Sequence, residues 1–432
     1  MSVQKDPALP TIDHKPHAAF FRQSGWLMIA TVAAGAMTFA VHFLNKAIPD
    51  SEYTAFGVLL MLVSCLPTTP LQMVFAQQSA LAMATGRERQ LAGMIRLAWF
   101  GTLVLWLVGA TLVFLFKEPI VQRWQLPDTT GLMITLPLLL MSLWGPLFTG
   151  VMQGRQDFFW VGWATMLSGV ARIGFAAMFV LALHFRAAGM MTATLIGVGL
   201  SAVIGIGRTR DLWSLPSEKF DVKALLAQVI PLMFGFGACQ FLFTADTMFA
   251  KAYFSPDAMK PYVAAGTLAR GVLWLVLPLA AVMFPKLVHS NAKGQKSDLM
   301  KIVVIGTALI SVGGMVGLWL LGWIPVRLVF KPEDVAPTMA LLPWYSGAMV
   351  PLAVANVLVN DLMARSRFGV VPWIIILAAG YGFTLPIVLN RPHPTMISLF
   401  QTLGTFNLLL CLVCAWFVWG VKGKPAPAAA AA

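Results

Sequence analysis

Apolar residues run through this chain in long unbroken stretches, not in the alternation of a strand or the one-sided stripe of a soluble helix. A helix needs about 20 mostly apolar residues to cross a bilayer, and the pattern predicts about twelve such spans. They fall at 25–44, 55–76, 94–116, 131–152, 161–184, 188–207, 227–250, 262–285, 302–324, 340–362, 371–390 and 397–420. Connections between them are short. The fold class expected is an all-α polytopic membrane protein, without an extramembrane domain able to house a soluble active site.

The spans divide into two sets of six. A shift of 208 positions lays Pro70-Leu71 on Pro278-Leu279 and Gly86 on Gly294, and brings Tyr53 within one residue of Tyr262. The same shift carries each of the first six spans onto one of the second six, as an internal duplication would. Six is even, so the halves insert with the same topology, as two parallel six-helix lobes. Transporters use such pairs to expose a midplane site alternately to either side. The organisation expected is a tail at 1–24, a first lobe at 25–207, an inter-lobe loop at 208–226, a second lobe at 227–420 and a disordered tail at 421–432.

Composition agrees with lipid as the main solvent. Of 432 residues, 59% are hydrophobic and 11% charged, against roughly 25% charged in a soluble domain. The net charge of +13 sits mostly in the loops of one face: with the N-terminus inside, 19 of the 30 lysines and arginines are cytoplasmic. That bias predicts both termini in the cytoplasm, and anionic headgroups rather than nucleic acid explain the surplus. The first 24 residues lack the apolar core of a signal peptide. Cys411 and Cys414 form a C-x-x-C inside an apolar run with no histidine or acidic partner, so they read as packing, and neither a metal nor a cofactor is expected.

Ionisable groups inside the membrane are costly and mark function by default. Arg172 lies near the middle of the fifth span, Arg270 a third of the way into the eighth, and Asp246 a turn inside the end of the seventh, which Lys251 closes. Asp246 and Arg270 belong to adjacent spans at similar depth, so a structural ion pair competes with a role in a cavity. Arg172 has no acidic partner within spans one to six. Gln240, Asn356 and Asn360 are polar candidates that either bind a ligand or join helices. Two arginines against one aspartate favour an anionic, phosphate-bearing ligand held by guanidinium groups.

Two segments carry a family resemblance. FLNKAIPDSEYTAFGVLLMLVSCLP resembles the first hairpin of bacterial polysaccharide and O-antigen flippases, and ADTMFAKAYFSPDAMKPYVAAGTLARGVLWLVLPLAAVMFPKL resembles their mid-chain signature, through Asp246, Tyr262, Ala264, Ala265 and Pro285. The resemblance implies the MATE-like fold shared by multidrug extruders, oligosaccharide flippases and lipid II flippases. It implies an undecaprenyl-pyrophosphate-linked oligosaccharide as substrate, moved from the inner to the outer leaflet for polysaccharide biosynthesis. The family's cationic cavity maps onto Arg172 and Arg270, and the implied location is the bacterial cytoplasmic membrane. Partners would be membrane lipids and polysaccharide polymerase or assembly proteins. Lipid II flippases carry two further C-terminal helices, so a chain of twelve spans points away from that role. The competing expectation is an ion-coupled multidrug exporter, for which Asp246 is the carboxylate available. No hydrolase or metalloprotease motif appears in context, and no enzymatic activity is expected.

Overall fold

The computed structural model describes residues 15–271, 299–365, 367–392 and 395–421. The lipid-spanning pattern is realised as helices throughout: α1 (Lys15–Ala40), α2 (Asp50–Ser64), α3 (Thr68–Thr85), α4 (Glu88–Leu115), short α5 (Lys117–Arg123), α6 (Thr130–Gly154), α7 (Phe158–Ala177), α8 (Arg186–Arg208) and short α9 (Arg210–Ser214). The second half follows with α10 (Val222–Tyr253), α11 (256–271), α12 (Leu299–Leu321), short α13 (Trp323–Val329), α14 (Pro332–Ala364), α15 (Val371–Leu389) and α16 (Met396–Ala415). Without water to bond the backbone, helices keep every internal N–H and C=O satisfied.

Among the described residues, ten helical segments are long and apolar enough to cross a membrane. They match ten of the twelve expected spans. The first expected span lies on α1 and a 3-10 turn at Val41–Ala47, and α1 already begins at Lys15, inside the expected tail. Residues 272–298 lie outside the description, and with them the rest of the eighth span, Pro278, Pro285 and Gly294.

The expected second span is two helices. Pro67 supplies no backbone N–H, so the ladder breaks after Ser64 and restarts at Thr68, with Pro70 in the first turn of α3. Helix α3 ends on Gly86, whose φ of 70° is the left-handed conformation that suits glycine.

Helices of the first half pack on one another, α7 on α8 and α1, α6 on α3 and α8; those of the second do likewise, α14 on α12 and α16, α15 on α10. Close approach depends on small residues. A Cβ at Gly150 would lie 2.4 Å from the Gln72 carbonyl oxygen, and one at Gly154 the same distance from that of Ala76. Gly150→Val should therefore force α6 off α3 and lower stability by roughly 1–3 kcal/mol, an overpacking cost, read as an earlier thermal transition in detergent; an unchanged transition would contradict the packing.

Between the halves, α10 is the main bridge, touching both α2 and α3. The loops at 86–87, 155–157 and 208–221 mark the basic face of the bundle, and those at 48–49, 116–129 and 322–331 the opposite face.

Candidate functional site

Asp246 and Arg270 are brought together. Arg270 Nη2 on α11 donates to Asp246 Oδ1 and Oδ2 on α10 at 2.9 and 3.1 Å, and to Thr247 Oγ1 at 2.8 Å. Tyr262 donates to Asp246 Oδ2 at 2.6 Å, Tyr345 of α14 donates to the same oxygen, and Thr247 Oγ1 lies 3.3 Å from it. The guanidinium also stands 5.2 Å from the Tyr345 ring centre and 5.3 Å from that of Phe243. Phe400 of α16 stacks on Tyr262 at 5.2 Å and meets Tyr345 at 4.6 Å. Asp246 is fully buried and Arg270 is 6% exposed. Both are committed to a closed, aromatic-walled pair, and the second half is welded by it.

Arg172 sits elsewhere. It lies on the face of α7 between α1 and α8. Gly197 makes room for its stem, since a Cβ there would lie 2.4 Å from Arg172 Cγ. Among the described residues its one hydrogen bond is long, Nη1 to Thr38 Oγ1 at 3.5 Å, and its buried Nε has no partner. Among the described residues no carboxylate lies within ion-pair distance of it. Nearby polarity comes from the 3-10 turn, where buried His42 Nδ1 meets the Tyr53 hydroxyl at 2.8 Å and fully buried Asn45 has neither amide atom bonded among the described residues.

Lys251 is the second uncompensated cation. Fully buried near the end of α10, it donates to Thr54 Oγ1 of α2 at 2.9 Å across the boundary between the halves, with no carboxylate in reach among the described residues. Gln240 is also a bridge, donating to the Ser64 carbonyl at 2.9 Å where α2 ends. Asn360 spends its amide on Asn356 of its own helix, at 2.8 Å to the carbonyl and 2.7 Å to Oδ1. All four cysteines are free, and Cys65 Sγ meets Thr244 Oγ1 at 2.6 Å across the same boundary.

The opposite face is clamped by charges that the sequence reading passed over. Asp50, at the start of α2, bonds Lys260 at 2.7 Å and Lys331 at 2.9 Å; Lys260 also holds Asp334 at 2.8 Å. Tyr53 packs edge-on against Phe330 beneath them, and Lys46 donates to the Leu328 carbonyl. One first-half carboxylate thus receives two second-half ammonium groups. Asp50→Ala should loosen this seal, and a cysteine placed at Phe330 would then react several-fold faster with a membrane-impermeant thiol reagent; an unchanged rate would show that the apolar contact alone closes the face.

The tyrosines carried a signal that their use as repeat and signature landmarks left unread. The chain has five, and Tyr53, Tyr262, Tyr345 and Tyr381 are fully buried. A scarce, polar-tipped ring inside an apolar span usually has a partner to meet, as Tyr53, Tyr262 and Tyr345 do, whereas the Tyr381 hydroxyl has none among the described residues.

The model of the family described as lipid II flippase MurJ matches residues 88–416. No curated protein matches. Among solved structures, a multidrug resistance MATE family transporter of the MOP superfamily in its inward-facing conformation is 11% identical, with 93% of this chain and 97% of that one covered at a TM-score of 0.69. A lipid II flippase MurJ in an inward closed conformation is 14% identical, with 91% and 87% covered at 0.67. A MOP superfamily transporter from Pyrococcus furiosus, whose binding pocket is described as reversed in polarity, is 13% identical, with 93% and 94% covered at 0.61. These likenesses establish the MATE-like fold. The family match falls on the lipid II branch, from which the span count had pointed away.

Proposed function

Since the chain belongs to the lipid II flippase MurJ family, we propose that it translocates an undecaprenyl-pyrophosphate-linked glycan from the inner to the outer leaflet of the bacterial cytoplasmic membrane, by alternating access. The carrying observation is the sign of the charge left over inside the membrane. Asp246 is neutralised by Arg270, whereas Arg172 and Lys251 keep no counter-ion among the described residues. Buried cations of this kind call for an anion, and a pyrophosphate supplies one with several acceptor oxygens.

The same balance disfavours export of organic cations. That chemistry needs a carboxylate free to trade its proton for the drug, and Asp246 already accepts bonds from an arginine and two tyrosines. Positive loops on the basic face support its placement in the cytoplasm, where a lipid-linked precursor would enter.

Purified protein in liposomes, loaded with a fluorescent lipid-linked glycan, provides the test. Exposure of the glycan on the far leaflet should depend on the protein. Parallel lipid II and O-antigen-type substrates would separate the family's named substrate from the polysaccharide precursor that the sequence resemblance implied. Equal exposure with and without protein, for both, would overturn the proposal.

A further inference from the structure

A cleft of about 240 Å³ opens where the two halves meet at the basic face, between the end of α3, the start of α4 and the start of α10. It is smaller than the roughly 300–1,000 Å³ of sites for drug-sized molecules. Its apolar lining includes the buried Leu91 and Leu225 together with Met94 and, as one wall, the ring of Phe220, and its polar lining carries the amides of Gln78, Gln90 and Gln228.

The wall is fixed by glycine. Phe220 belongs to the segment preceding α10, which lies so close to α4 that a Cβ at Gly93 would stand 3.0 Å from the ring and 3.3 Å from the Glu218 carbonyl. Glu218 N–H donates to the Arg89 carbonyl at 3.3 Å, pinning that segment further. Behind the ring, Asp221 caps α10 by accepting from Ala224 N–H.

The polar lining has bonding capacity to spare. Gln78 Nε2 donates to Gln228 Oε1 at a long 3.3 Å, and Gln228 Nε2 donates to Gln77 Oε1 at 2.9 Å. Each primary amide offers two donor hydrogens and two acceptor lone pairs, so most of that capacity is unspent. The bond joining Gln78 to Gln228 is also a link between the halves.

A carbohydrate ring has the complementary build: one face of C–H groups and an edge of hydroxyls that both donate and accept. We infer that this cleft is a monosaccharide subsite, engaging one sugar of the glycan by stacking on Phe220 and by amide bonds from Gln78, Gln90 and Gln228. The inference deepens the proposed function and rests on it for the identity of the ligand. A sugar seated here competes for the amides that link Gln78 to Gln228, so its arrival loosens the closure of the basic face.

Saturation-transfer NMR on the full-length protein in detergent, with methyl glycosides of hexoses and of N-acetylhexosamines as probes, tests the subsite. Ring protons of at least one probe should receive saturation, falling at least fivefold in Phe220→Leu and in Gln90→Ala, both with native melting behaviour. If either variant fails to fold, the native protein with Phe220 alone isotope-labelled provides the second readout, a sugar-to-ring contact. Absence of transfer to every probe, or equal transfer in native protein and both variants, would overturn the subsite. Liposome translocation of the lipid-linked glycan is scored separately: translocation without sugar contact sinks the subsite alone, and sugar contact without translocation sinks the flippase reading alone.

Discussion

Arg270→Met should cost the protein most of its stability. The substitution leaves the Asp246 carboxylate fully buried without its cation, and removing one partner of a buried pair costs about 3–5 kcal/mol. Tyr262 and Tyr345 both donate to that carboxylate, so they lose their anchor as well. The expected result is a collapse in folded yield and a much earlier melting transition in detergent. The double variant Asp246→Asn with Arg270→Met should recover a large part of both, because an uncharged amide can accept from the tyrosines without a counter-ion. A single variant that melts like the native protein would refute the structural role. A transport defect in Arg270 variants therefore says nothing about substrate contact unless folding is measured beside it.

Arg172 and Lys251 predict the opposite pattern. Neither completes an ion pair among the described residues, and each makes one side-chain hydrogen bond, to Thr38 and Thr54. Removing either charge deletes a costly buried cation, so stability should hold or rise. Transport of a pyrophosphate-bearing substrate should fall: a hydrogen bond to a charged group contributes about 1.5–3 kcal/mol, or roughly 10- to 150-fold in affinity. Arg172→Gln and Lys251→Met are the sharpest variants, with Arg172→Lys retaining part of the rate because it keeps the charge without the planar fork. The measurement is initial translocation rate in liposomes at matched protein density. Native rates in both charge-removing variants would end the argument from leftover charge.

The spans were legible in the sequence because lipid imposes a long, coarse pattern that hardly depends on side-chain detail. The break at Pro67 was less so: the apolar run continues across it, and only the missing backbone donor splits α2 from α3. Whether Asp246 pairs with Arg270 was open in the sequence, since depth along two helices does not fix how they are rotated. The clamp at Asp50 was illegible for a different reason, as Lys260, Lys331 and Asp334 come from segments far along the chain and look like ordinary loop charges. Likewise the cleft walled by Phe220 depends on Gly93 admitting a neighbouring segment, a contact that neither stretch announces. The branch of the family was the least legible part: span number had pointed away from the lipid II flippases, a feature that a family match over 88–416 does not depend on.

Helix α10 meets the first half at three levels: Gln228 with Gln77 and Gln78, then Gln240 and Thr244 with Ser64 and Cys65, then Lys251 with Thr54. At 1.5 Å per residue Gln228 and Lys251 stand about 17 Å on either side of Gln240. That geometry is a see-saw with nearly equal arms. A tilt of about ten degrees about Gln240 carries each end through roughly 3 Å, enough to part a hydrogen bond at one face while the middle stays joined. Were α10 to pivot about Gln240, the two faces would move through similar distances, and a small rotation would trade one closure for the other.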